Sequence, residues 1–299
     1  MRKLKIGKYL ELRTDFAFKR VFCNEKDQTL LIDFLNGLIQ TEEKITNIRF
    51  LRTERLGFTE KDRKAVYDLY CEDDKGGKRI VEMQICKQEY FMDRSLFYTT
   101  FPIREQALKG VWNYKLNPVY HIAILNFTQF EKNPDYLNYF SLMNEKTYEK
   151  VSDNLNFITI ELPKFKKKLS ALRSNQDYWL YFFKHLPELE AEPSELKDTV
   201  FDRLFETAQT DELIEEDMAE YVKSVTEYSD VKRAMAYHLK EGMAKGEKKG
   251  EKKGRREGRR EGISFRNYEI VRNMLNLNMS INDIVNVTGL ASEEILKIK

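Results

Sequence analysis

Apolar residues recur at helical spacing through residues 14–40, at Phe18, Val21, Phe22, Leu30, Leu31, Phe34, Leu35 and Leu38, so this stretch reads as helical. Ile45 to Leu51 reads as a strand. The period then changes. Ala65-Val66-Tyr67-Asp68-Leu69-Tyr70-Cys71 reads as a strand, a turn-rich Asp73-Asp74-Lys75-Gly76-Gly77 follows, and Arg79-Ile80-Val81-Glu82-Met83-Gln84-Ile85 reads as its partner. Residues 91–110 return to a helical pattern, with Gly110 near the C-terminus. Apolar runs of strand length occupy 119–127 and 155–162. From Tyr178 to Leu239 the pattern is helical, interrupted around Pro187 and Pro193. Strands alternating with helices predict an α/β core.

Side chains on a strand alternate faces. One face of the predicted hairpin carries Tyr67, Leu69, Cys71, Val81, Met83 and Ile85, all apolar. The other carries Asp68, Glu82 and Gln84 among Val66, Tyr70 and Ile80, which is no ordinary solvent face. With an odd loop centred on Lys75, paired residues sum to 150. Asp68 then lies opposite Glu82, with Cβ atoms roughly 5 Å apart. Like charges so placed are destabilising unless a cation lies between them. Two carboxylates at that spacing suit a hard divalent ion such as Mg²⁺. The bland alternative is an exposed polar sheet face with unrelated charges. An even loop, such as a two-residue Gly76-Gly77 turn, moves the sum to 153 and separates the carboxylates.

The Asp-x13-Glu-x-Gln arrangement resembles the PD-(D/E)XK nuclease superfamily, in the branch of recombination-promoting nucleases and PDDEXK nuclease family transposases. Further stretches match that branch in order. They are Thr14-Asp15-Phe16-Ala17-Phe18-Lys19-Arg20-Val21-Phe22, Asp33-Phe34-Leu35-Asn36, Arg94-Ser95-Leu96-Phe97-Tyr98, the run Val119 to Leu125, and Phe157 to Phe165. The resemblance covers roughly residues 10–262 and departs from the superfamily pattern at Gln84, where lysine usually stands. It implies an α/β restriction-endonuclease-like core, a mixed sheet flanked by helices, with a helical C-terminal extension. The implied activity is Mg²⁺-dependent hydrolysis of phosphodiester bonds in DNA, in recombination, mobile-element biology or defence.

By the same resemblance Asp68 and Glu82 hold Mg²⁺, with Mn²⁺ as the alternative ion. Gln84 orients the attacking water or contacts the phosphate, but its neutral amide cannot supply the charge of a lysine. Arg94 or Lys87 could replace that charge. Asp15 is either a further catalytic acid or a first-turn helix charge. Lys19, one turn later, contacts phosphate or pairs with Asp15. Arg94 and Tyr98 share a helix face at i, i+4 and either touch the substrate or pack over the hairpin. The alternative reading is a catalytically weak nuclease-fold DNA-binding or regulatory protein, which Gln84 permits.

Composition bounds the rest. A chain of 299 residues holds one large domain plus appendages. No charge-free run approaches the roughly 18 residues that cross a bilayer, so no membrane partner is expected. Met-Arg-Lys-Leu-Lys is followed by no apolar stretch of a signal peptide. The cysteines Cys23, Cys71 and Cys86 show no metal spacing and no even pairing. A cytoplasmic protein with reduced thiols is the expectation. His121, His185 and His238 are far apart and read as structural.

The net charge of +2 hides an uneven distribution. Residues 186–230 carry fifteen acids against three bases, and residues 240–262 carry ten bases against five acids. Within the basic stretch glycine recurs at 242, 246, 250, 254, 258 and 262. A period of four drifts about 40° per repeat around a helix, and each glycine costs roughly 1 kcal/mol against alanine. A solvated, partly helical linker is predicted; the membrane GxxxG reading lacks its apolar context. Phe265 to Ile298 reads as helices around Thr288-Gly289-Leu290, a helix-turn-helix-like spacing, with Ser292 as a cap. The expected divisions are a nuclease core over 1–166, a helical acidic extension over 167–239, the basic linker over 240–262 and the helical segment over 263–299. The tail either contacts DNA or docks on the acidic 186–230 segment of this or another chain. Self-association through the C-terminal helical region is a further candidate contact.

Overall fold

The computed structural model describes residues 6–39, 41, 44–56, 63–107, 110 and 112–298. The chain forms two compact units, Met1–Arg233 and Ala234–Lys299. In the first, helix α1 (Asp15–Phe22) begins where the Thr14 hydroxyl accepts from the Ala17 amide. It stops because the Asn24 side chain accepts from the amides of Lys26 and Asp27, an Asx turn that competes with the helix. The expected single helical stretch is therefore two helices, and α2 follows over Thr29–Leu38. Strands β1 (Ile48–Phe50), β2 (Glu54–Arg55), β3 (Ala65–Val66), β4 (Leu69–Asp73) and β5 (Lys78–Gln84) lead into α3 (Phe91–Glu105).

Helix α3 ends short of the expected residue 110. Pro102 lies in its last turns, and the Gln106 side chain ties the chain to Asn117 instead. Then come β6 (Val119–Leu125), β7 (Leu137–Met143), β8 (Lys150–Glu161), α4 (Asn175–His185), α5 (Val200–Thr207) and α6 (Glu215–Asn276). Strand β7 was not legible as an apolar run because it is an edge strand, half-exposed along its length.

The main sheet has the order β1-β4-β5-β6-β8-β7. Strands β5, β6 and β8 are mutually parallel; β1, β4 and β7 each pair antiparallel with their neighbours. One face carries Leu69, Cys71, Val81, Ile122, Ile124, Ile158 and Ile160 into the principal core. Helices α1, α2, α4 and α5 close that core with an aromatic cluster, in which the Phe22 ring lies 5.1 Å from Phe34 and 5.3 Å from Trp179. The opposite face lies under α3, where Tyr70 and Ile80 pack with Phe101, and Ala123 and Leu125 with Phe91. Burial on both faces explains the unbroken apolar run of β6.

The first turns of α6 pack on the same unit. The Tyr221 hydroxyl accepts from the Glu11 amide at 2.9 Å, and the Ser224 hydroxyl accepts from the Phe16 amide at 3.2 Å. In the second unit α6 runs unbroken through every glycine of the repeat, which corrects the expected partly helical linker. Between the glycines stand Lys, Glu, Arg and Ala, strong helix formers. Glu241 and Lys245 form an i, i+4 pair at 2.6 Å in the favourable orientation. Helices α7 (Ile281–Thr288) and α8 (Ser292–Leu296) follow and share a small core of Val271, Ile284 and Ile295. Ser280 caps α7. Ser292 does not cap α8: Ala291 stands at that position, and the Glu294 carboxylate accepts from its amide at 3.1 Å. Among the described residues no helix is long and apolar enough to cross a membrane.

Candidate active site

The β4–β5 hairpin sets the site. Leu69 pairs with Val81, Tyr70 with Ile80, Cys71 with Arg79 and Glu72 with Lys78, the register that an odd loop centred on Lys75 requires. Asp73 builds the turn. Its carboxylate accepts from the amides of Lys75 and Gly77 and forms a buried ion pair with Arg79, while Gly76 takes φ +80°. Asp68 lies one residue before β4, at a bend. Its carboxylate accepts from the Met83 amide on the neighbouring strand at 2.7 Å, which brings it beside Glu82. The bend also resets the parity of the strand. Tyr67 therefore lies not on the principal core face, as strict alternation predicts, but under α3. There its ring is 5.1 Å from that of Tyr70 and its hydroxyl donates to the Tyr98 carbonyl at 3.0 Å.

Glu82 is 2% exposed. Its Oε2 accepts from the Arg94 guanidinium at 3.0 Å and from the Gln84 amide at 2.9 Å. Its Oε1 is buried and has no hydrogen-bond partner. Burial pushes the Glu82 carboxyl up to about 8; the charge of Asp68 adds to the shift, and Arg94 and Gln84 oppose it. The Asp68 carboxyl is raised too, by burial first, with the Met83 amide pulling the other way. Gln88, which no sequence pattern marks, completes the ring of contacts. Its amide donates to Gln84 at 3.3 Å, and its carbonyl accepts from Arg94 at 2.6 Å. It stands in the irregular segment between β5 and α3, where no periodicity applies. Arg94 also lies 4.9 Å over the Tyr98 ring, so the i, i+4 pair on α3 faces the site.

The remaining candidates divide. Asp15 and Lys19 form an exposed i, i+4 ion pair at 2.8 Å on α1. With Asp68, Arg20, Asp217 and Lys223 they line a cavity of about 620 Å³. Lys87 does not join the carboxylates; it pairs with Glu131 at 3.4 Å. His121 is buried on β6, and burial pushes its imidazole down to about 3, with the charge of Arg94 adding. It is a neutral core histidine.

Two adjacent carboxylates, one with an unpartnered oxygen, form a hard-oxygen donor set. Among the described residues no group of three or more His, Cys, Asp or Glu is placed to hold a metal ion. Two carboxylates are the donor type that a hard divalent ion keeping several waters would take. No curated protein and no solved structure matches the chain. Residues 12–238 match PD-(D/E)XK nuclease family transposases. That stretch holds every strand of the sheet and both carboxylates, and the chain belongs to this nuclease family.

Proposed function

We propose that the protein is a Mg²⁺-dependent DNA endonuclease in which Asp68 and Glu82 hold the ion, with Mn²⁺ able to replace it. The observation that carries this reading is the unpartnered Oε1 of a buried glutamate beside a second, half-buried carboxylate. A buried polar atom without a partner costs roughly 1–3 kcal/mol, a cost that a bound ion or its water at Oε1 would relieve. A bound ion supplies Lewis acidity to a phosphate oxygen and lowers the pKa of its water.

The chain's own groups do the rest. Gln84 donates to Glu82 and fixes its carboxylate; its neutral amide can orient water or a phosphate oxygen but supplies no charge. Arg94 brings a cation to Glu82, two residues from the position of the missing lysine. It is held by the Tyr98 face and by Gln88, so its guanidinium is pre-organised to meet the phosphate. Asp15 and Lys19 stand at the cavity beside Asp68, where Lys19 can exchange its partner for a phosphate. We place this activity in DNA recombination, mobile-element biology or defence; the family's description as transposases is what supports the mobile-element setting.

The test is supercoiled plasmid incubated with the purified protein and Mg²⁺, Mn²⁺ or chelator. Cleavage is expected with either ion and not with chelator. Asp68→Ala and Glu82→Ala are each expected to abolish it while the circular dichroism spectrum is retained. Cleavage surviving in both variants would move the activity to other residues. The second reading, a nuclease fold that binds without cutting, draws on the Arg94 guanidinium that already occupies Oε2 of Glu82. It predicts DNA binding with no cleavage under any ion.

A further inference from the structure

A basic site stands at the same end of the sheet as the carboxylates. The parallel strands β5, β6 and β8 end at Gln84, Leu125 and Glu161. Beyond β8 the chain makes one short helical turn, Leu162–Lys164, and continues as Phe165-Lys166-Lys167-Lys168. These three lysines, with Lys184 and His185 from the end of α4, line a cavity of about 810 Å³; Glu188 and Glu195 line it too.

Its charges are unequally matched. Lys167 donates to both oxygens of Asp177 at 2.7 and 2.9 Å, and His185 pairs with Glu188 at 2.8 Å. Lys166 and Lys168 are exposed, and neither forms an ion pair among the described residues. The Lys184 ammonium donates to the Phe165 carbonyl and forms no ion pair among the described residues, although the charge of Glu188 acts on it. It is held below the usual lysine range by burial, then by the charges of Lys166 and Arg13. Cations gathered in this way repel one another, and an anion between them relieves the repulsion.

A chain of hydrogen bonds joins this cavity to the carboxylate site. The Gln84 carbonyl accepts from the Asn126 amide at 2.9 Å. The Asn126 side chain accepts from Arg13 at 3.4 Å, and Arg13 donates to the Lys184 carbonyl at 3.5 Å. Strands β5 and β8 are two strand spacings apart, roughly 10 Å. That is about three nucleotide steps at 3.4 Å each. The cavity beside Asp68, by contrast, carries more acids than bases, with Asp15, Asp68, Asp217, Glu220 and Glu227 against Lys19, Arg20 and Lys223.

We propose that the cavity of Lys166, Lys168 and Lys184 seats the phosphate backbone of duplex DNA a few nucleotides to one side of the cut, a proposal that rests on the nuclease reading above. An acidic protein segment is the lesser fit. Glu188 and Glu195, from the acidic 186–230 stretch, already line this cavity, and the lysines remain unmatched with them in place.

The experiment measures binding of the full-length protein to a fluorescein-labelled duplex of about 30 base pairs, in chelator, across a series of KCl concentrations. The double variant Lys166→Ala/Lys168→Ala alters two exposed side chains, so its melting temperature should match the wild type. Its plot of log affinity against log salt should be shallower by about 1.8, roughly 0.9 for each phosphate that the variant no longer neutralises. Lys146→Ala, in the β7–β8 turn, should leave the slope unchanged. A double variant with wild-type affinity and slope, bound to DNA that the wild type still cleaves, overturns this proposal alone. A wild type that neither binds nor cuts the duplex overturns the nuclease reading and this proposal together. If the two lysines serve self-association instead, the variant changes the sedimentation coefficient and not the salt slope, and the proposal falls.

Discussion

Glu82 holds its proton to about pH 8 because it is buried and lies beside the charge of Asp68, against the opposing contacts of Arg94 and Gln84. In the unfolded chain the same carboxyl ionises near 4.5. Between those values the folded state binds the extra proton, so the metal-free protein loses stability as pH rises, by up to about 1.4 kcal/mol per pH unit. Glu82→Gln removes that slope. Urea unfolding in chelator should show the variant gaining on the wild type from pH 5 to pH 8; a gain that shrinks over that range contradicts the assignment. His121 acts on the other limb. Held neutral to about 3, it binds its proton only in the unfolded chain as pH falls from 6.5, so stability is lost on that side. His121→Asn should flatten the acid limb and leave the alkaline one unchanged. The placing of Glu82 and Gln84 on one face was legible because strand parity fixes it, and the odd turn set the register of β4 on β5; Asp68 itself is brought beside Glu82 by its hydrogen bond to the Met83 amide. Tyr67 was not legible, since one bend at Asp68 cancels parity, and Gln88 was not, since its segment has no period.

Elements were legible where one period ran uninterrupted and obscure where a side chain or a long helix overrode it. The two-carboxylate register depends on the turn, and the turn depends on Gly76. A Cβ there would stand 2.6 Å from the Asn117 side chain, on a backbone at φ +80°. Gly76→Ala should cost about 1–2 kcal/mol of stability, read as a lowered melting temperature. Helix α6 shows the reverse. Local propensity argued against a stable helix through six glycines, yet the helix is continuous. Propagation adds one hydrogen bond per residue once a turn exists, so the glycine penalty weakens an established helix without ending it. A Cβ at Gly250 or Gly254 meets nothing within 4 Å. Gly250→Ala and Gly254→Ala should each stabilise the helix by roughly 1 kcal/mol. The expected outcome is a stronger 222 nm signal and later thermal loss of it; a weaker signal would show that the stretch is not helical in solution.

For the whole molecule the charge distribution is the feature that composition alone conceals, because a net +2 averages an acidic 186–230 block with a basic 240–262 block. The division at Arg233 and Ala234 falls inside a helix, with no proline or glycine at the break, so no sequence punctuation could have marked it. Within the first unit α6 is tied down by Asp217, Tyr221, Ser224 and Tyr228, among others, and the deletion of residues 240–299 keeps these. Deleting residues 240–299 should therefore leave the fold of the first unit and the Asp68–Glu82 pair intact. If the basic repeat touches DNA, the deletion should weaken binding and reduce the salt slope by roughly 0.9 for each phosphate that the repeat had neutralised, without changing sequence preference. If the repeat instead docks on the acidic block, deletion should raise cleavage and barely alter the slope. The DNA role is the favoured outcome for two reasons. The cavity beside Asp68 carries more acids than bases, and part of the acidic block is already committed, Asp217 to Arg20 and Glu188 to His185. A truncated protein with the affinity and the slope of the full chain would rule out the DNA role of the repeat, and the cleavage rate of the same preparation would then decide for or against the docking role.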